Sequence, residues 1–147
     1  MPARTSIKDR IVEVIKNSGA GPVANRVYIG RQNVLPDAAT GWPLVYVYMV
    51  REDIDTQTMG SSGRHQTRTM VISVAYFAKS ATPEGSEDGM DTACEAIEAL
   101  VAADTTLNST CEDIILTSAE YMYDGSEELS FGRAIMLYRV VYFSNEP

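Results

Sequence analysis

A chain of 147 residues has room for one domain and one core, and a formal net charge of −8 makes it a poor candidate for gripping nucleic acid through phosphates. No run of about 18 apolar residues offers a membrane span, and the opening MPARTSIKDR lacks the apolar stretch of a signal peptide. Two cysteines, Cys94 and Cys111, make no disulfide framework, so the chain reads as cytosolic while it folds.

The charge is uneven. Residues 1–31 hold Arg4, Lys8, Arg10, Lys16, Arg26 and Arg31 against Asp9 and Glu13, a net of +4, which leaves −12 for residues 32–147. Such a split is ordinary solubility or, more pointedly, complementary charge on two surfaces of one subunit. Head-to-tail contacts use two different patches and close into rings.

In chain order, Ser6–Asn17 is predicted as a helix capped by Ser6, with Asp9 in its first turn and Gly19 beyond its end. Ile7, Ile11, Val14 and Ile15 fall on one face. Asn25–Arg31 is predicted as a short strand in which Gly30 marks a bulge, and Gln32–Gly41 as a loop. Trp42-Pro43 leads into a strand over Leu44–Asp53 that is apolar on both faces, with Trp42 read as a core plug. The connection Ile54–His65 is Gly/Ser-rich and has little to bury, and it reads as a soft, protruding loop.

The next strand, Gln66–Lys79, alternates: Met70, Ile72, Val74 and Tyr76 oppose Thr69, Val71, Ser73, Ala75 and Phe77. A turn over Ser80–Glu87 precedes a longer helix from Ser86 to Ala103. Its apolar stripe is Met90, Ala93, Cys94, Ile97, Leu100 and Val101, flanked by the acids Asp91, Glu95 and Glu98. Cys94 on that stripe reads as a small buried hydrophobe. A loop over Asp104–Asp113, a strand over Ile114–Tyr123, an acidic connection Asp124–Phe131 and a strand over Gly132–Phe143 complete the chain. The order α-β-β-β-α-β-β defines an α+β fold, a five-stranded, mainly antiparallel sheet with two helices.

Two helices, each about 10 Å wide, cover only one face of five strands spaced about 4.8 Å apart. The other face should turn polar. The strand over Gln66–Lys79 partly obeys, but those over Leu44–Asp53 and Gly132–Phe143 do not: Leu44, Tyr46, Tyr48 and Val50 oppose Val45, Val47 and Met49, and Ile135, Leu137 and Val141 oppose Met136, Tyr138, Val140 and Tyr142. Either these residues simply favour strands, or the surplus apolar face is a subunit interface.

Chemistry is hard to place on this chain. The lone histidine, His65, sits in the soft connection without a rigid support for nucleophilic catalysis. No metal-ligand spacing occurs, and Gly60-Ser61-Ser62-Gly63 lacks the Gly-Lys-Ser/Thr of a phosphate loop. Pairs such as Glu127-Glu128, or the Asp91/Glu95/Glu98 stripe, could be written as acid–base sets, but charge stripes of this kind are usually solvated faces. No enzyme activity and no cofactor is expected.

The ordered pattern resembles the tail terminators of long-tailed bacteriophages, the minor tail protein U type. It comprises the helix Ile11-Val12-Glu13-Val14-Ile15-Lys16, then Val27-Tyr28-Ile29-Gly30-Arg31, a Pro-containing loop, and Trp42-Pro43-Leu44-Val45-Tyr46-Val47-Tyr48. A flexible loop and a strand follow, then the acidic helix around Asp91–Leu100 and the closing hairpin Ile115–Tyr123 with Leu137–Phe143. The loops around Gly60 and Ser80 are longer than the type suggests. The resemblance spans nearly the whole chain and implies a single domain over residues 1–147 with a flexible loop at 54–65.

It further implies a six-subunit virion ring at the head-proximal end of the tail, assembled in the host cytoplasm. Such a ring caps the tail tube, stops its polymerisation and joins the head–tail connector, with no membrane involved. The implied partners are further copies of the chain, the major tail tube protein and the connector protein. DNA passes through without specific binding, along a wall that an acidic surplus keeps from sticking. Expected contacts to neighbour or tube are Met59, Arg64, Arg68, Arg31 and Arg10; expected channel-facing acids are Asp53, Asp55, Glu95 and Glu98. Alternatives are another head–tail connector or tail-tube-like ring subunit, a monomeric acidic adaptor for one protein partner, or a small carboxylate hydrolase.

Overall fold

The computed structural model describes residues 3–16, 27–30, 44–60, 63–80, 83–107, 111–125 and 130–146. Helix α1 (Ala3–Lys16) is followed by strands β1 (Val27–Ile29), β2 (Leu44–Gly60) and β3 (Gly63–Ser80), helix α2 (Pro83–Ala102), and strands β4 (Asp113–Gly125) and β5 (Ser130–Glu146). The strands form one five-stranded sheet in the order β1-β2-β3-β5-β4. β1 runs parallel to β2 and every other pair is antiparallel, so the expected α+β class and element order hold.

Both helices lie on one face of the sheet. Ile7, Ile11, Val12 and Ile15 of α1 and Ala93, Cys94, Ile97 and Val101 of α2 share one core with Val45 and Val47 of β2 and Met70, Ile72, Val74 and Tyr76 of β3. β5 adds Ala134, Met136, Tyr138, Val140 and Tyr142 from its even-numbered positions. The period-2 alternation of β3 and β5 thus groups Met70, Ile72, Val74 and Tyr76, and Met136, Tyr138, Val140 and Tyr142, as the structure does, on one face each.

Helix starts differ from expectation. α1 begins at Ala3, so Ser6 lies within it and no acid occupies its first turn, because the segment from Ala3 to Ser6 holds no helix breaker. α2 begins at Pro83, not Ser86: proline suits the first helical position, where its missing N–H costs nothing. Gly30 forms no bulge. It closes β1, at φ 102°, with its N–H donating to the Val47 carbonyl at 2.8 Å. In the connection after α2, Leu107 is fully buried despite a positive φ of 47°, so its burial holds a conformation that leucine rarely adopts. Trp42 and Arg31 lie outside the described residues.

The largest correction concerns Ile54–His65, which was expected to be a soft connection. The β2–β3 ladder runs through it, pairing Ile54 with Arg68, Thr56 with Gln66 and Gly60 with Gly63, and leaves only residues 61 and 62 between the strands. β-Branched Ile54, Thr56, Thr58, Thr67 and Thr69 favour extended backbone, and ladder hydrogen bonds do not require apolar side chains.

Candidate functional site

The register maps the face opposite the helices row by row. Across β2, β3 and β5 the rows are Leu44–Phe77–Arg133, Tyr46–Ala75–Ile135, Tyr48–Ser73–Leu137, Arg51–Val71–Arg139 and Asp53–Thr69–Val141, with the β3 residue in the middle of each. Tyr46 packs between Tyr28, tilted at 34°, and Phe77, edge-on at 70°, with ring centroids 5.6 and 5.8 Å away. Val71, Phe77, Ile135, Leu137 and Val141 are half-buried, while Ile115, Met122 and Phe143 on the same face are exposed. No described helix covers these rows. Ser73 Oγ is buried among them without a hydrogen-bond partner.

Beyond the Asp53–Thr69–Val141–Asp113 row, β4 has not begun and β1 has ended, so three strands continue alone as an arm: β2 to Gly60, β3 from Gly63 and β5 to Glu146. Past Glu52 the arm extends for eight residues of β2, about 26 Å at the usual rise per residue.

At the arm's base the β2 ladder shifts between Met49 and Arg51, and the shift turns Glu52 onto the helix side. There its carboxylate accepts hydrogen bonds from Arg4 Nη2 at 2.8 Å, Arg68 Nη1 at 2.7 Å and the Tyr142 hydroxyl at 2.6 Å. Arg68 also donates to Gln66 Oε1 at 2.7 Å. The Glu52 side chain is only 7% exposed. Burial pushes its pKa up, but the donors Arg4, Tyr142 and Arg68 together outweigh burial and hold the carboxyl below its ordinary value. The sequence gives little sign of this cluster, because the ladder shift that turns Glu52 inward is a feature of strand pairing.

The expected contact residues fare differently. Arg68 is committed to Glu52 and Gln66 within the subunit. Arg10 Nε donates to Asp104 Oδ2 at 2.9 Å, tying α1 to the end of α2, and a second nitrogen lies 3.3 Å from Glu13. The side chains of Met59 and Arg64 lie outside the described ones, although their backbones pair with each other in the arm. The four acids share no single surface: Asp53 and Asp55 point away from the helices, whereas Glu95 and Glu98 ride on α2 on the other side of the sheet. His65 pairs with Thr58 and Asn145 at the backbone, and its side chain lies outside the described ones.

Among the described residues no group of three His, Cys, Asp or Glu side chains is placed to hold a metal ion, and no helix is long and apolar enough to cross a membrane. Burial pushes the Cys94 thiol up to about 12 and the Cys111 thiol up to about 11, so both stay protonated at neutral pH and pack as apolar groups.

Tyr138 is buried under α2 with its hydroxyl unpartnered. Removing an unsatisfied buried hydroxyl relieves its desolvation cost. Tyr138→Phe is therefore expected to leave the fold intact and stabilise it by roughly 1 kcal/mol, read as a higher urea midpoint at unchanged slope.

No family profile matches the chain, and no curated protein does. Among solved structures it is similar to a chain from the virion of a native gene transfer agent (GTA) particle, with 14% identity over 95% of this chain and 97% of that one and a TM-score of 0.42.

Proposed function

We propose that this chain is a structural, non-catalytic subunit of a phage-like virion, and more closely a tail terminator: a ring-forming protein that caps the tail tube, stops its growth and joins the tail to the head connector. The observation that carries the reading is the sheet face opposite the helices: Leu44, Tyr46 and Ala75 are buried there within the subunit, but Tyr48, Val71, Phe77, Ile135, Leu137 and Val141 stay half-buried and Ile115, Met122 and Phe143 exposed, an apolar field that the two described helices do not cover. Patches of this kind mark contact surfaces. The family resemblance supports the finer assignment through the order and spacing of its segments. The net charge of −8 suits a ring whose lumen lets DNA slide past without multidentate phosphate contacts.

Tails grown without the protein should be tubes of uncontrolled length, and its addition should restore a single length in electron micrographs. Light scattering of the protein with tail-tube protein should show a closed oligomer. A persistent monomer in both settings means an adaptor that binds one partner, and the ring reading is then wrong.

A further inference from the structure

We infer that Glu52 is a latch that holds the three-stranded arm at a fixed angle to the body, so that the arm meets its partner already oriented. Glu52 is the point on which separate elements converge. Arg4 comes from α1, Arg68 from β3 and Tyr142 from β5, and all three donate to the one carboxylate of β2. The position matters as much as the bonds. Glu52 pairs with Met70, the last residue of β3 before the arm that belongs to the core, and β4 ends its support at the Asp113–Val141 pair. Beyond that line only β2, β3 and β5 continue among the described strands.

The cluster links the first turn of α1 to the arm across 48 residues of sequence, a span that local hairpin pairing does not bridge. An arm oriented before contact forfeits less conformational freedom on binding. The latch is a property of the free subunit and holds whether or not the assembled particle is a tail; only the identity of the partner rests on the proposed function.

The groups facing Glu52 are Arg4, Arg68 and Tyr142, with Gln66 held through Arg68. Its neighbours Arg51 and Asp53 lie on the opposite sheet face, where they approach each other at 3.6 Å. Because the latched carboxyl lies below its ordinary value, the latch is fully present above about pH 4.3 and is lost as pH falls through the lower, latched value.

Backbone hydrogen exchange on the intact free subunit tests this without any assembly readout. Glu52→Gln should speed exchange of amides 53–60 and 63–69 by roughly tenfold or more and leave Ile72–Tyr76 and Met136–Val140 unchanged. Arg4→Gln and Tyr142→Phe, which each remove one donor, should give the same pattern at smaller size, and they carry the test if Glu52→Gln does not fold. After correction for intrinsic rates, the wild-type arm should begin to lose protection as pH falls below the ordinary carboxylate value of about 4.3 and lose it through the lower, latched value, and Glu52→Gln should show no such step. Unchanged arm exchange in these variants overturns the latch. So does a uniform rise in arm and body, which would make Glu52 a general stabiliser, or a wild-type arm with no acid step.

Discussion

Ile115→Glu combined with Phe143→Glu is expected to abolish assembly and leave the subunit folded. Both side chains lie on the sheet face away from the helices and are exposed, at 42% and 62%. In the free subunit they meet mostly water, so glutamate there costs little, within about 1 kcal/mol of wild type. In an assembly the same positions enter a contact, and two carboxylates without partners must be desolvated, at several kcal/mol. Light scattering at a concentration where wild type is oligomeric should report monomer, while the circular dichroism melt stays near that of wild type. Ile29→Glu is the matched control. Ile29 is similarly exposed, at 49%, but follows Val27 onto the helix side at the sheet edge, and this variant should assemble. If the double variant assembles normally, the exposed part of this face is not the contact, and the proposed ring-forming role loses its main support.

The fold was legible where side-chain periodicity was strong. Met70, Ile72, Val74 and Tyr76 alternate so regularly that their face could be assigned without coordinates, and Ile7, Ile11 and Ile15 likewise fix the buried side of α1. That two helices are too few for both faces could be argued from their widths alone, but Leu44, Tyr46, Ser73 and Ala75 on the other face are buried within the subunit, so only part of that face is open. Three things were not legible. The polar hairpin from Ile54 to His65 has nothing to bury, and apolar patterning is silent about strands held by backbone pairing alone. The inward turn of Glu52 follows a ladder shift that changes the parity of β2 by one residue, which no residue type announces. Leu107 lies in a connection read as a plain loop, yet it is fully buried. The candidate site divides the same way: its apolar field could be read from alternation, whereas the expected contacts Arg10 and Arg68 are taken up by ion pairs inside the subunit that depend on tertiary placement.

The two faces of the sheet can be separated by adjacent substitutions in β3. Ile72 is fully buried beneath the helices, in register with Met49 and Tyr138. Ile72→Ala removes buried carbons from a core that closes only partly behind them, which costs about 2–5 kcal/mol. Against a total on the order of 5–15 kcal/mol that is a large share, and the melting temperature should fall by roughly 4 to 20 °C. Val71, one residue earlier, points to the other face and is half-buried between Arg51 and Arg139. Val71→Ala should cost the free subunit less than about 1.5 kcal/mol, mostly lost strand preference, and its larger effect should appear as weaker association. Urea titration of the free subunit gives the first quantity and sedimentation of the oligomer the second. Equal losses of subunit stability at the two positions would mean that the rows around Val71, like Tyr46 and Ala75 beside them, are already packed within one chain, leaving no apolar field for another subunit to cover.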